Sequence, residues 1–155
     1  MLVFVPLSPE GLSDWVAQGS RPARGFAATR GFAAAFSLGE ADAEDADRTL
    51  LEIAGLDGLL RHGVRLVAVA EADATEAEPA EFGAVDAGVL GWGRVTSLFA
   101  DDAPGAGRAA SVLGGLGGLG GASLAEAWED DAVVDLLAGT DLLWHSSTEW
   151  QRLSH

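Results

Sequence analysis

Continuous apolar runs alternate along the chain with segments of helical periodicity. Residues 2–7, LVFVPL, form an uncharged run with β-branched and aromatic members, and residues 64–70, VRLVAVA, form a second largely apolar run. Short continuous runs of this kind are typical of strands covered on both faces. We therefore expect a central strand at residues 2–7 and a second buried strand at residues 64–70. Further strands are expected at residues 26–29, 85–90, 98–100 and 142–146.

A first helix is predicted over residues 9–18. Ser8 precedes a proline and a glutamate, which is the pattern of an N-cap followed by a first helical turn. Gly19 is expected to end the helix. Leu12 and Trp15, three positions apart, are expected to face the core.

The clearest helix is predicted over residues 40–62. Arg61 and His62 at its end and acidic residues at its start complement the helix dipole, and Gly63 suits the position after the last turn. The acidic residues are Glu40, Asp42, Glu44, Asp45 and Asp47. Weaker patterns predict helical segments at residues 31–36, 92–97, 108–113 and 126–137.

Residues 71–83 are acidic and are broken by Pro79, so they are expected to form a solvated connection. Strands that alternate with helical segments across short loops predict an α/β fold. We expect one domain over residues 1–155, with a single-layer mixed sheet of about four to six strands and packed helices. A ferredoxin-like α+β arrangement is the alternative.

The charge of the chain limits its partners. It has 24 acidic residues against nine Lys and Arg, all of them Arg, which gives a formal net charge of −15. Phosphate backbones and anionic membrane surfaces repel such a chain, so we expect neither nucleic acid nor membrane as a partner. The absence of cysteine and of a signal-peptide pattern at the start predicts a cytoplasmic protein.

The run SVLGGLGGLGGAS at residues 111–123 contains a GxGxxG pattern at Gly115, Gly117 and Gly120. A dinucleotide cradle needs a strand before the glycines and a helix after them, whereas a helix-like segment precedes them here. A Walker loop needs a lysine, and the chain has none. We expect a flexible Gly-rich loop or frayed helix end at residues 114–121.

Two acidic pairs follow predicted strands: Glu71 with Asp73, and Asp101 with Asp102. Open α/β sheets bind ligands beyond the carboxyl ends of their strands, so adjacent strands would bring all four carboxylates to one Mg²⁺. This arrangement would make a metal-dependent hydrolase or phosphoryl-handling enzyme.

The histidines and serines do not predict a catalytic site. No metal-binding spacing occurs among His62, His145 and His155, and no serine motif predicts a nucleophile. No resident cofactor is expected.

Aromatic and basic residues supply the other candidate sites. Trp128, Trp144, Glu149 and Trp150 are candidate interaction residues, because aromatic anchors concentrate at protein interfaces. Arg21, Arg24 and Arg30 lie in a segment without acidic residues, and a small-molecule site would require them to point into one pocket.

Four segments carry a family resemblance: VFVPLSPEGLSDWV, VRLVAVAEAD, SLFADD and the closing DLLWHSSTEW. Together they resemble an uncharacterised family of short acidic actinobacterial α/β proteins with a terminal LLW motif followed by Glu149. His145 stands where that family is expected to have Tyr, and Phe99 where it is expected to have His. The resemblance implies a cytoplasmic α/β fold and carries no activity.

The sequence thus favours a non-enzymatic protein-binding or regulatory module. The carboxylate-dependent enzyme is the alternative.

Overall fold

Seven strands form one sheet within residues 1–39, 42–78 and 80–154, which the computed structural model describes. Their order across the sheet is β4-β5-β2-β1-β3-β6-β7. The strands are β1 (Leu2–Pro6), β2 (Ser20–Phe26), β3 (Leu66–Glu71), β4 (Thr75–Glu76), β5 (Ala84–Gly91), β6 (Val95–Ala100) and β7 (Leu143–Ser146).

The α/β class and the central position of β1 are confirmed, and the described sheet has more strands than expected. The expectation of a mixed sheet is wrong, because every described pairing is antiparallel. A continuous apolar run indicates that a strand is buried on both faces, and a buried strand can have parallel or antiparallel neighbours. Its pattern therefore does not distinguish a parallel neighbour from an antiparallel one.

Helices cover both faces of the sheet. They are α1 (Pro9–Gln18), α2 (Arg30–Ala35), α3 (Ala43–His62), α4 (Ala103–Gly115), α5 (Leu124–Trp128), α6 (Asp131–Gly139) and α7 (Trp150–Leu153). Short 3₁₀ turns lie at Glu81–Gly83, Trp92–Arg94 and Ser147–Glu149. None of the helices in the described residues combines the length and the apolar character needed to span a bilayer.

The predicted signals at both ends of α1 and at the C-terminal end of α3 are confirmed. The Ser8 hydroxyl accepts the Gly11 N–H at 2.9 Å, and Gly19 and Gly63 end the two helices in the left-handed conformation. Leu12 and Trp15 are fully buried, as expected. Glu40 at the predicted start of α3, like His155, lies outside the described residues.

Several element boundaries differ from the sequence predictions. Residues 92–97, predicted as helical, form a 3₁₀ turn at Trp92–Arg94 and the first part of β6, because pairing with β3 extends that strand. β2 occupies Ser20–Phe26 rather than residues 26–29, since Pro22 and two arginines hide its pattern. α4 begins at Ala103, five residues before the predicted start, because Asp102 caps it. Residues 126–137 do not form one helix, because Asp130 accepts the Ala132 N–H and begins α6 separately from α5.

The acidic connection at residues 71–83 also contains regular structure. Its Thr75–Glu76 segment forms β4 against β5, and a 3₁₀ turn follows at Glu81–Gly83. The predicted break at Pro79 falls outside the described residues. Part of this acidic segment, which was predicted to be a solvated connection, is therefore ordered by backbone pairing at the edge of the sheet.

The hydrophobic core has two faces and an outer layer. On one face, Val3 and Val5 of β1 pack with Leu12 and Trp15 of α1, and Trp150 of α7 lies against the same cluster. The opposite face joins apolar residues of β1 and β3 to α2 and α3, and a further cluster joins α3 to α4, α5 and α6. Helix α3 is therefore packed on two sides, which explains its long buried stripe.

The glycine run ends α4 through a Schellman motif. The Gly118 N–H donates to Leu113 O at 3.0 Å, and the Gly117 N–H donates to Gly114 O at 3.2 Å. Gly117 has a φ of 93°, which the motif requires at this position. The run therefore follows a helix, in keeping with the rejection of a nucleotide cradle, and the flexibility of residues 114–121 stays a prediction.

Candidate functional site

The structure does not bring the two acidic pairs together. Strands β3 and β6 are neighbours, but they are antiparallel, with Leu66 opposite Ala100. Glu71 therefore ends β3 and Asp73 lies beyond that end, whereas Asp101 and Asp102 lie beside the other end. At about 3.4 Å per residue, the two ends of β3 are about 17 Å apart. Among the described residues, no group of three or more His, Asp and Glu side chains is arranged to hold a metal ion.

Each of the predicted metal residues has its own surroundings. Glu71 accepts a hydrogen bond from the N-terminal amine of Met1 at 2.8 Å, and Asp73 lines a cavity of about 310 Å³ together with Glu71 and Arg94. Asp102 accepts the Gly105 N–H at 2.8 Å as the N-cap of α4. The predicted metal residues therefore lie in different surroundings and do not converge on one point.

Asp101 forms the most buried ion pair of the described residues, and its partner is Arg65. The Arg65 Nε donates to Asp101 Oδ2 at 2.9 Å, Nη2 donates to Asp101 Oδ1, and Nη2 also donates to Thr140 O at 3.3 Å. The two side chains are only 2% and 5% exposed. Sequence reasoning missed this pair, although an arginine inside the predicted buried strand at residues 64–70 was a usable signal.

A cavity of about 510 Å³ lies beside Arg65, between α3 and the loop that follows α6. This volume falls within the range of small-molecule sites in proteins. Its lining includes Arg48, Glu52 and Gly55 from α3 and Thr140 and Asp141 from the loop. Burial raises the pKa of Glu52; Arg48 lowers it, Asp141 raises it further, and Arg65 lowers it.

A larger cavity of about 700 Å³ collects two of the three predicted arginines. Arg21 and Arg24 line it together with Arg61 and His62, whereas Arg30 begins α2 and is not among the described residues that line it. Residues of both β1 and β2, which pair at Phe4 and Phe26, line the cavity. Arg24 lies 3.8 Å from Asp86, and Arg61 bonds Asp57 at 3.1 Å; both arginines are largely exposed. Arg24 and Arg61 are therefore each close to an acid, whereas Arg21 donates, among the described residues, only to the backbone oxygens of Pro22 and Gly11.

The four predicted interaction residues have different surroundings. Trp128 packs edge-to-face against Phe36 and Phe82, with ring centroids 6.1 and 5.9 Å apart, and Trp150 packs against the core on the α1 face. Trp144 is 62% exposed on β7. Glu149 completes a capping box with Ser146, whose N–H it accepts at 2.9 Å. Of the three tryptophans, Trp144 presents the most surface to a partner.

β7 is the last strand at one side of the described sheet. It pairs with β6 from Ser146 to Leu143 without a register shift. Leu143 is 46% exposed beside Trp144. At the other side of the sheet, the short strand β4 covers part of β5, and a bulge interrupts the pairing of β5 with β2 between Pro22 and Arg24. β7 has four residues, and within the described residues no further strand pairs with its outer side.

The comparisons with known proteins identify a family and carry no activity. The model of a family of unknown function (DUF6912) matches residues 1–153, so the chain belongs to this family. No curated protein and no solved structure matches the chain.

Proposed function

We propose that this member of the family of unknown function (DUF6912) is a cytoplasmic, non-enzymatic protein-binding module that docks a strand of a basic partner protein on the edge of β7. The observation that carries the proposal is the exposure of Trp144 and Leu143 on an edge strand paired without interruption to β6. A partner strand that adds to such an edge gains main-chain hydrogen bonds along its length. Side chains such as Trp144 supply the anchoring contacts at interfaces.

The charge of the chain supports a basic partner. Asp141 stands just before β7, and Glu149 stands just after it, in a chain of net charge −15. Opposite charge on the partner speeds encounter and discriminates against wrong partners. A second copy of this chain would bring the same acidic surroundings to the interface, so self-association is disfavoured.

The usable part of the edge is short. Glu149 Oε2 already accepts the Ser146 N–H, which leaves the Leu143–His145 part of β7 for the partner. Main-chain pairing over three residues is a small contribution, so we expect affinity to depend mainly on burial of Trp144 and Leu143.

The proposal is tested by site-specific photocrosslinking in living cells. A photoreactive phenylalanine analogue replaces Leu143, and in a matched control it replaces Val89, which is 73% exposed on β5. We expect a basic protein to crosslink from position 143 and not from position 89. An adduct of twice the mass of the chain would identify a second copy as the occupant. That adduct, the absence of any adduct, or equal adducts from both positions would each overturn the proposal.

Affinity for the crosslinked partner, measured with purified proteins, then tests the anchoring role of Trp144. Removal of an aromatic anchor costs about 2 kcal/mol or more, so Trp144→Ala is expected to weaken binding about 30-fold. Val89→Ala should leave the affinity unchanged. Binding should also weaken as ionic strength rises, because screening reduces the attraction between opposite charges.

A further inference from the structure

The cavity beside Arg65 is lined by charges of both signs. Its volume is about 510 Å³, and its lining includes Arg48, Glu52, Gly55, Arg65, Thr140 and Asp141. Arg65 is buried, whereas Arg48 and Asp141 are exposed. The cavity wall therefore contains one buried charged residue as well as charged residues that are exposed to solvent.

Arg65 is held in place but is not saturated. Its Nε and Nη2 face the Asp101 carboxylate, and Nη2 also donates to Thr140 O. Within the described residues, no hydrogen-bond acceptor is assigned to Nη1, which leaves two N–H donors of the guanidinium without a protein partner. Because the ion pair with Asp101 prevents the side chain from turning away, these donors are pre-oriented. A carboxylate is the ligand group that best matches guanidinium donors.

Glu52 supplies the complementary charge. It is partly buried in the cavity wall, and its carboxylate makes no hydrogen bond and no ion pair within the part of the chain that the structure describes. Burial is the largest cause that raises the pKa of Glu52; the charge of Arg48 lowers this pKa, and the charge of Asp141 raises it further. An ammonium group near Glu52 and Asp141 would relieve both the desolvation and the repulsion.

Neighbouring glycines make room for this arrangement. A Cβ atom at Gly55 would lie 3.2 Å from Leu142 Cδ1 and 3.8 Å from Arg65 Cδ. A Cβ atom at Gly105 would lie 2.6 Å from Asp101 Oδ1 and 3.0 Å from Thr140 Cγ2. Larger residues at either position would displace the side chains that form the cavity.

The Thr140 hydroxyl is a further group without a hydrogen-bond partner in the described residues, and its Oγ1 is buried. Buried hydroxyls are normally hydrogen-bonded.

We infer that this cavity binds a small dipolar molecule that carries both an ammonium group and a carboxylate, as a free amino acid does. A simple anion would meet Glu52 and Asp141, and a simple cation would meet Arg48 and Arg65. A molecule with both charges complements the basic and the acidic residues at once if its carboxylate lies at Arg65 and its ammonium group lies at Glu52. This inference concerns a different surface from the edge of β7 and does not depend on the protein-binding proposal.

The test measures binding of a panel of free amino acids by saturation-transfer NMR and by the shift in thermal midpoint. Each amino acid is compared with the amine that lacks its carboxylate and with the carboxylic acid that lacks its ammonium group. We expect at least one amino acid to give a saturable midpoint rise and a transfer signal, and its two half-molecules to give neither at the same concentration. If no amino acid binds, or if a half-molecule binds as well as the whole, the inference is wrong.

A variant pair locates the site. Glu52→Gln removes the charge that would hold the ammonium group, and we expect it to weaken binding at least about tenfold. Glu44→Gln removes a carboxylate from the same helix at an exposed position outside the cavity lining, and it should bind as the unchanged protein does. Circular dichroism confirms that both variants are folded. Unchanged binding by a folded Glu52→Gln variant, or equal losses in both variants, would contradict the inference.

Discussion

Removal of the Asp101 carboxylate should greatly destabilise the protein, because it leaves the Arg65 guanidinium buried without a counter-ion. Arg65 is 2% exposed, and Asp101 accepts hydrogen bonds from its Nε and Nη2. Hydrogen bonds to charged groups contribute roughly 1.5–3 kcal/mol each, so the two bonds amount to roughly 3–6 kcal/mol. Breaking a buried ion pair by removal of one partner costs about 3–5 kcal/mol. Both routes predict that Asp101→Leu loses about 3–5 kcal/mol of unfolding free energy.

The assay is urea unfolding followed by far-UV circular dichroism, on Asp101→Leu, Arg65→Met and the double variant. Replacement of both charges by apolar side chains leaves no unpaired ion, so the double variant should recover most of the loss. Asp73→Asn is the matched control, since Asp73 also follows a strand but is exposed, and exposed substitutions change stability by about 0.5 kcal/mol or less.

Three results would refute this reasoning. The first is a loss below about 1 kcal/mol in Asp101→Leu, which is within the range of exposed ion pairs. The second is a double variant no more stable than the single variants. The third is an equal loss in Asp73→Asn.

Three further predictions concern local structure and pH, each measured as an unfolding free energy in urea. Asp102→Ala removes the side chain that caps α4 through the Gly105 N–H and should cost about 1 kcal/mol. Gly107→Ala should stabilise α4 by about 0.5–1 kcal/mol because a Cβ there meets open space, whereas Gly25→Ala should destabilise by about 1–3 kcal/mol because its Cβ would meet Phe4 O. Burial lowers the pKa of His62 from its ordinary value of 6.5, so the unfolded chain takes up the proton first. The contribution of His62 to stability should therefore fall as the pH drops from 6.5 towards its folded pKa, and His62→Gln should remove this contribution.

The sequence predictions were accurate where an element depends on residues close together in the chain, and they failed where it depends on pairing with a distant segment. Both ends of α1 and the C-terminal end of α3 were predictable because Ser8, Gly19 and Gly63 act on backbone groups within a few residues. The strand β2 was missed, since its stability comes from pairing with β5 and its own residues include Pro22 and two arginines.

The candidate sites depended on contacts that no local pattern reports. Asp101 and Asp102 were singled out as metal ligands with Glu71 and Asp73, yet the antiparallel register of β3 and β6 sets the two pairs at opposite ends. Asp101 instead meets Arg65, 36 positions away in the chain. The exposure of Trp144 likewise follows from the last position of β7 in the sheet order.

The sequence by itself determined the positions of the main helices and buried strands, the acidic character of the surface and the central place of β1. Caps and apolar periodicity act between near neighbours in the chain, so they can be recognised in the residue order alone. Only the tertiary structure decided the strand directions, the pairing of Arg65 with Asp101 and the edge position of β7. These features depend on sheet order and register, and many orders and registers satisfy the same local pattern of apolar and polar residues.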